Sequence, residues 1–145
     1  MTSCDTNILF HAACPRSPLH EKAQGFLASH ASDRDFSLCE LALVEFYGLL
    51  RNPALLERPL SPAEAVELIQ GYRRNRFWRI LDYPGNLMND LWHRAAQKGF
   101  ARRRIYDARL ALTLRHHGVE NFATRNMADF EGFGFARLWD PLEAT

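Results

Sequence analysis

Short apolar segments alternate with helical segments along this sequence, and this alternation restricts the possible folds more than any other feature. Strands are predicted at residues 3–11, 35–38, 77–81, 121–124 and 135–139. Strands separated by helices favour a parallel sheet with helices packed on both of its faces. The predicted fold class is therefore α/β, a three-layer α/β/α sandwich around a parallel sheet.

The helical segments carry start and stop signals. Helices are predicted at residues 19–30, 40–50, 61–74, 87–98 and 105–117. Ser61 and Glu64 have the spacing of a capping box, and Pro62 between them suits the first turn of a helix. Gly118 follows the last helix and is typical of a helix end.

Length and composition predict one domain spanning residues 1–145, with 47% hydrophobic residues to fill its core. No apolar run approaches the roughly 20 residues that cross a bilayer, and the first residues lack a signal-peptide pattern. We therefore expect a cytoplasmic protein without a membrane segment. Cys4, Cys14 and Cys39 form no zinc or CxxC pattern, which favours reduced thiols.

The charge is unevenly distributed along the chain. The net charge is only +1, but residues 72–104 contain eight arginines and one lysine against two aspartates, a surplus of seven. Such asymmetry favours an anionic partner for this segment. Arginine suits bidentate contacts with phosphate, although a GC-rich genome would also enrich arginine.

Four carboxylates stand in apolar surroundings: Asp5, Glu45, Asp107 and Asp129. The segment around Glu45, ELALVEFYGLL, predicts a mostly buried helix whose carboxylate needs a partner. Each acid also has a local explanation, namely a turn, solvent exposure, a helix dipole or a cap. Together they predict a cluster at the carboxyl edge of the sheet, where Mg²⁺ or Mn²⁺ would relieve the repulsion between them.

The ordered set of motifs resembles the PIN domain, and specifically the VapC-type ribonuclease toxins of bacterial toxin–antitoxin pairs. The matching segments are Asp5-Thr6-Asn7, Glu45 in LALVEF, Asp107 in YDARLA, and TRNMADF near the end of the chain. The resemblance implies a PIN-like fold over the whole chain and a metal-dependent endoribonuclease. Many relatives have an aspartate where this chain has Asn126, so either Asp129 or Asn126 fills the fourth position.

The resemblance also implies roles for these residues. Asp5 and Asp107 would be the main ligands of Mg²⁺ or Mn²⁺, Glu45 a ligand or the group that orients the attacking water, and Asp129 the fourth acid. Four polar residues would hold the carboxylates in place, or else are ordinary turn residues: Thr6, Asn7, Thr124 and Asn126.

The basic segment gains a role beside such a site. Arg102, Arg103 and Arg104 precede Asp107 and would grip the RNA backbone. Phe77, Trp78 and Tyr106 lie among the arginines and either stack on unpaired bases or pack in the core. Core packing is the favoured prediction for these aromatic residues.

The family further implies an RNA substrate, a small cognate antitoxin and a homodimer, whereas the sequence leaves the identity of the RNA open. Two other enzyme classes fit poorly. An aspartyl-phosphate phosphatase needs a second aspartate where this chain has Asn7, and a receiver domain needs a late lysine, which is missing after Lys98. A catalytically inactive PIN-like binding module remains an alternative.

Overall fold

The computed structural model describes residues 1–143 and contains a five-stranded sheet. The strands are β1 (Thr2–Cys4), β2 (Phe36–Cys39), β3 (Arg79–Leu81), β4 (Asn121–Ala123) and β5 (Arg137–Trp139). Their order is β3-β2-β1-β4-β5, and every neighbouring pair is parallel. The predicted parallel sheet is confirmed.

Helices connect the strands and cover both faces of the sheet. They are α1 (Thr6–Ala13), α2 (His20–Ser29), α3 (Glu40–Leu50), α4 (Pro62–Arg73), α5 (Met88–Ala95), α6 (Arg104–His116) and α7 (Met127–Phe130), with a 3₁₀ turn at Gly85–Leu87. Ser61 and Glu64 form the predicted capping box of α4. Gly118 follows α6 with a φ of +84°, a conformation that glycine adopts without strain.

Apolar residues pack into cores on both faces of the sheet. Phe36 and Leu38 of β2 point into a core that is shared with α1 to α4, while Cys39 points into the other. Likewise Phe122 of β4 packs with α6 and α7, and Ala123 packs on the opposite side. Because successive strand residues alternate between faces, the sheet is the middle layer of the predicted three-layer sandwich.

The first predicted strand, residues 3–11, is wrong beyond Cys4, because α1 begins at Thr6. The carboxylate of Asp5 accepts a hydrogen bond from the Thr6 N–H and caps this helix. Ile8, Leu9 and Ala12 are then buried at helical spacing. The apolar run after Asp5 is therefore one face of a helix.

The three aromatic residues Phe77, Trp78 and Tyr106 divide between core and surface. Trp78 is buried, and its indole N–H donates to the His30 carbonyl at 2.7 Å. Phe77 packs against the same core. Core packing is thus the correct prediction for these two residues and wrong for Tyr106, whose surface is 77% exposed.

The order of the strands creates a crevice between β1 and β4. The chain leaves β1 towards β2 and β3 on one side, then returns to place β4 on the other side of β1. Ligands of parallel α/β sheets bind at such a reversal, beyond the carboxyl ends of the strands. Asp5 and Thr124 are the first residues after β1 and β4. Among residues 1–143, no helix is long and apolar enough to cross a membrane.

Candidate active site

Asp5 is held at the junction of β1 and β4 by the register of the two strands. Cys4 is paired with Ala123, so the next residue, Asp5, lies beside Thr124. The Asp5 N–H donates to the Ala123 carbonyl at 2.9 Å. The Thr124 hydroxyl donates to Oδ2 of Asp5 at 2.7 Å, and the Thr6 N–H donates to Oδ1 at 2.8 Å. Backbone pairing thus fixes one carboxylate at the crevice.

The charged form of the Asp5 carboxyl group is disfavoured despite these hydrogen bonds. Its residue surface is only 6% exposed. Burial raises the pKa of Asp5 from 3.8 to about 6, with smaller contributions from the charges of Glu45 and Asp129. The hydrogen bonds from Thr124 and Thr6 lower the pKa but do not cancel the effect of burial.

Glu45 approaches the same site from α3. The Thr6 hydroxyl donates to Oε2 of Glu45 at 3.2 Å, so that Thr6 contacts both Asp5 and Glu45. The prediction of a mostly buried helix is wrong for this side of α3, and the alternative that Glu45 faces solvent is correct: Glu45 is exposed, and its neighbour Val44 is 70% exposed. The reason is that α3 buries Ala42, Leu43, Phe46 and Leu50 and leaves its opposite face open.

Asp107 reaches the site from the first turn of α6. The pKa of Asp107 is raised from 3.8 to about 6. Burial is the largest cause, and the charges of Asp129, Asp5 and Glu45 add to it. Arg104 partly offsets this repulsion. The charges of Glu45 and Asp129 thus act on both Asp5 and Asp107, although the four acids come from four different parts of the chain.

Asp129 and Asn126 lie at the start of α7, on the other side of Thr124. The Asn126 N–H donates to the Thr124 hydroxyl at 3.0 Å, and the Asp129 N–H donates to the Asn126 carbonyl. Both residues are exposed. The charge of Asp129 acts on Asp5 and Asp107, whereas the contact of Asn126 with this network is through its backbone.

Asn7 completes the contacts around Asp5. Its side-chain amide N–H donates to Oδ2 of Asp5 at 3.4 Å, and its Oδ1 accepts from the Arg125 N–H at 3.5 Å. Thr6, Asn7 and Thr124 therefore touch the acids directly through their side chains.

The donor chemistry of this site fits a hard divalent cation. The charged forms of Asp5 and Asp107 are disfavoured by burial and by neighbouring acids, so both gain from a positive ion beside them, and oxygen ligands suit Mg²⁺ or Mn²⁺. Burial raises the pKa of the nearby Cys4 thiol well above its usual value, which disfavours a thiolate ligand. Within residues 1–143, however, no three acidic, histidine or cysteine side chains converge tightly enough to hold a metal ion as they stand.

A groove of about 700 Å³ opens between α3 and α6 beside these acids. One wall is a helical stripe of Leu41, Val44 and Glu45, spaced i, i+3, i+4. The other wall is the matching stripe of α6 and the residue before it: Arg103, Tyr106, Asp107 and Leu110, joined by Arg109. Each wall therefore places a large apolar or aromatic residue directly beside a carboxylate.

The three arginines predicted to contact RNA have different surroundings. Arg102 and Arg103 are exposed, and Arg103 lines the groove. The Arg104 guanidinium donates to the Glu131 carbonyl at 3.0 Å and lies 5.6 Å from the centre of the Phe133 ring. Arg104 thus contacts a neighbouring loop, while Arg103 faces the acidic groove.

Val44 and Arg109 line the groove although neither was predicted as a site residue, and Tyr106, for which core packing was the favoured prediction, lines it as well. Arg109 lies 4.4 Å over the ring of Tyr83, which orients its guanidinium. Their position in the sequence could have indicated this for Val44 and Tyr106, because each directly precedes a predicted site carboxylate on a helix.

Comparison with known proteins identifies a close relative. The chain is 52% identical over 142 residues to Ribonuclease VapC24 of Mycobacterium tuberculosis, which covers 98% of this chain and 97% of that protein. It is also 29% identical over 141 residues to Ribonuclease VapC48 of the same species, covering 95% of each chain. No protein-family profile matches the chain.

Solved structures show the same fold. The crystal structure of M. tuberculosis VapC20, a sarcin–ricin loop cleaving toxin, aligns with a TM-score of 0.70 at 18% identity, covering 93% of this chain and 96% of that one. FitAB bound to a DNA fragment aligns with a TM-score of 0.67 at 20% identity, covering 100% and 98%. With this fold and a 52% identical full-length relative, the chain belongs to the VapC family of PIN-domain ribonuclease toxins.

Proposed function

We propose that the acidic site between β1, α3, α6 and α7 is where this ribonuclease hydrolyses RNA, and that it does so with Mg²⁺ or Mn²⁺. Asp5 and Asp107 are the main ligands, Glu45 orients the attacking water or joins the ligands, and Asp129 is the fourth acid. The observation that carries the proposal is geometric: Thr6 contacts both Asp5 and Glu45, and Glu45 lines one groove together with Asp107. The raised pKa of Asp5 and Asp107, caused first by burial and then by neighbouring acids, supports it.

The protein's own groups prepare this site. Thr124 and Thr6 hold Asp5 through its two carboxylate oxygens, and the Thr6 hydroxyl lies 3.2 Å from both the Glu45 carboxylate and the Ala42 carbonyl. Such support orients ligands that would otherwise rotate. Arg103 stands in the same groove as Glu45 and Asp107 and would neutralise a backbone phosphate there. When bound, a divalent ion supplies a nucleophile from water near neutral pH and offsets charge that develops on the phosphate.

The biological setting follows from the family. We propose that this chain acts on RNA in the cytoplasm as a single PIN domain over residues 1–145 and that a small antitoxin restrains it. A homodimer is also proposed, on family grounds alone.

Metal-dependent cleavage of an RNA panel tests the function. The panel includes tRNAs, an mRNA and a sarcin–ricin loop RNA, since VapC20 is a sarcin–ricin loop cleaving toxin. We expect cuts with Mg²⁺ or Mn²⁺, no cuts with EDTA, and no cuts by Asp107→Asn. Asp90→Asn is the control, because Asp90 is exposed on α5 and pairs with Arg94 instead. If the wild-type protein cuts no RNA under any metal condition, the inactive binding module replaces this proposal.

A further inference from the structure

The groove between α3 and α6 carries two exposed apolar side chains that neither the fold nor the proposed metal chemistry uses. Tyr106 is 77% exposed and Val44 is 70% exposed, on opposite walls. Leu41 and Leu110 line the same groove. An exposed apolar patch in a concave surface marks a contact site for a ligand or partner.

We infer that this groove is a nucleobase-binding subsite in which the ring of Tyr106 stacks on an unpaired RNA base beside the cut. The inference rests on the proposed function. Glu45 and Asp107 line the groove together with Tyr106. An RNA strand held at these two carboxylates through the proposed divalent ion would run along the groove, with its neighbouring base at the aromatic ring.

The groove matches the composition of a nucleotide. A nucleotide combines a flat, largely apolar base with an anionic phosphate. The groove offers Tyr106 and Val44 for the base, and it offers the guanidinium groups of Arg103 and Arg109 for phosphate. Its volume of about 700 Å³ lies in the range of small-molecule sites.

The subsite favours unpaired RNA over a duplex. Stacking needs a free base face, and in a duplex both faces are covered by neighbouring bases. The Arg109 guanidinium already lies over Tyr83 and is therefore restrained at the edge of the groove. Tyr106 would thus select accessible, unstacked positions, whereas the acids act on any phosphate that reaches them.

The test compares Tyr106→Ala, Tyr106→Phe and Trp92→Ala. The RNA probe is a short unpaired oligonucleotide that contains a cut site mapped with the wild-type enzyme, with 2-aminopurine beside the cut. Binding is measured in EDTA by the fluorescence of 2-aminopurine, and cleavage is measured as kcat/KM with Mg²⁺ or Mn²⁺. Trp92 is the matched control, because it is an aromatic residue 55% exposed on α5, outside the groove.

We expect Tyr106→Ala to weaken binding and kcat/KM by roughly 5- to 100-fold, the usual range for one stacked base. Tyr106→Phe keeps the ring and should stay within about 2-fold of wild type on the same reasoning, as should Trp92→Ala. Replacing the base beside the cut by an abasic site should weaken binding of the wild type but not further weaken that of Tyr106→Ala.

Three results would overturn the inference. Tyr106→Ala binds and cuts RNA like the wild type, or the loss caused by the abasic site adds to that caused by Tyr106→Ala. The third is that Tyr106→Ala changes the oligomeric mass or antitoxin binding but not RNA binding. The last result assigns the groove to a protein partner. Cleavage by Asp107→Asn at the wild-type rate would instead overturn the proposed function, so the two failures are distinguishable.

Discussion

Removing the charge of Asp107 should stabilise the metal-free protein while abolishing its activity. In the folded protein the pKa of Asp107 is raised from 3.8 to about 6 by burial and by the charges of Asp129, Asp5 and Glu45. A difference of that size corresponds to about 3 kcal/mol at neutral pH as an upper bound. Asp107 is partly exposed, so solvent screening reduces the expected gain for Asp107→Asn to about 1 kcal/mol.

The sign of this effect depends on pH. Because the folded pKa lies above the unfolded one, the folded state holds the proton of Asp107 more tightly. The contribution of Asp107 to the free energy of unfolding is fully present below about pH 4 and is lost as the pH rises through about 6. The advantage of Asp107→Asn over wild type should therefore be absent near pH 4 and complete above pH 7.

Urea unfolding in EDTA at several pH values measures this difference, and Asp90→Asn is the matched control. Both aspartates lie in the first turn of a helix, so both variants lose a similar interaction with the helix dipole. Asp90 pairs with Arg94 at 3.6 Å, and its charge is not among those that raise the pKa of Asp5 or Asp107. Its replacement should cost up to about 0.5 kcal/mol. A stabilising effect of Asp107→Asn that is equal at pH 4.5 and 7.5, or a loss equal to that of Asp90→Asn, refutes the argument that burial and neighbouring acids disfavour the charged form of Asp107.

Three further substitutions test the supporting structure. Thr124→Val removes the hydroxyl that contacts Asp5 and should weaken Mn²⁺ binding, measured by calorimetry, about 10- to 100-fold, whereas Thr124→Ser should retain affinity. Arg103→Ala should weaken RNA binding and reduce the slope of log affinity against log salt by about 1, while Arg58→Ala, outside the groove, leaves the slope unchanged. Ser61→Ala should cost about 1 kcal/mol in urea unfolding because it removes the cap of α4, with cleavage of RNA unaffected.

Local signals in the sequence were sufficient for most elements. The capping box at Ser61 and the glycine after α6 are local features, and both are present in the structure. The prediction failed at residues 5–11, where an apolar run is compatible with a strand or with a helix. The hydrogen bond from the Thr6 N–H to the Asp5 carboxylate favours the helix.

The candidate site could likewise be predicted only in part from the sequence. The sequence could indicate which acids were unusual, because Asp5, Glu45 and Asp107 stand among apolar residues. It could not decide between a buried and an exposed Glu45, since ELALVEFYGLL is apolar on nearly every side and only packing decides which side is covered. Nor could it predict the groove, which needs two helices from distant parts of the chain at a suitable separation.

The sequence by itself determined the alternation of strands and helices, the identity of the acids and their order along the chain, because these depend on neighbouring residues. Only the tertiary structure decided that β4 returns to lie beside β1 and thereby places Thr124 against Asp5, 119 residues apart. The same packing leaves Val44 and Tyr106 exposed on opposite walls of one groove. Contacts between distant segments depend on how whole layers pack, and no local pattern specifies that arrangement.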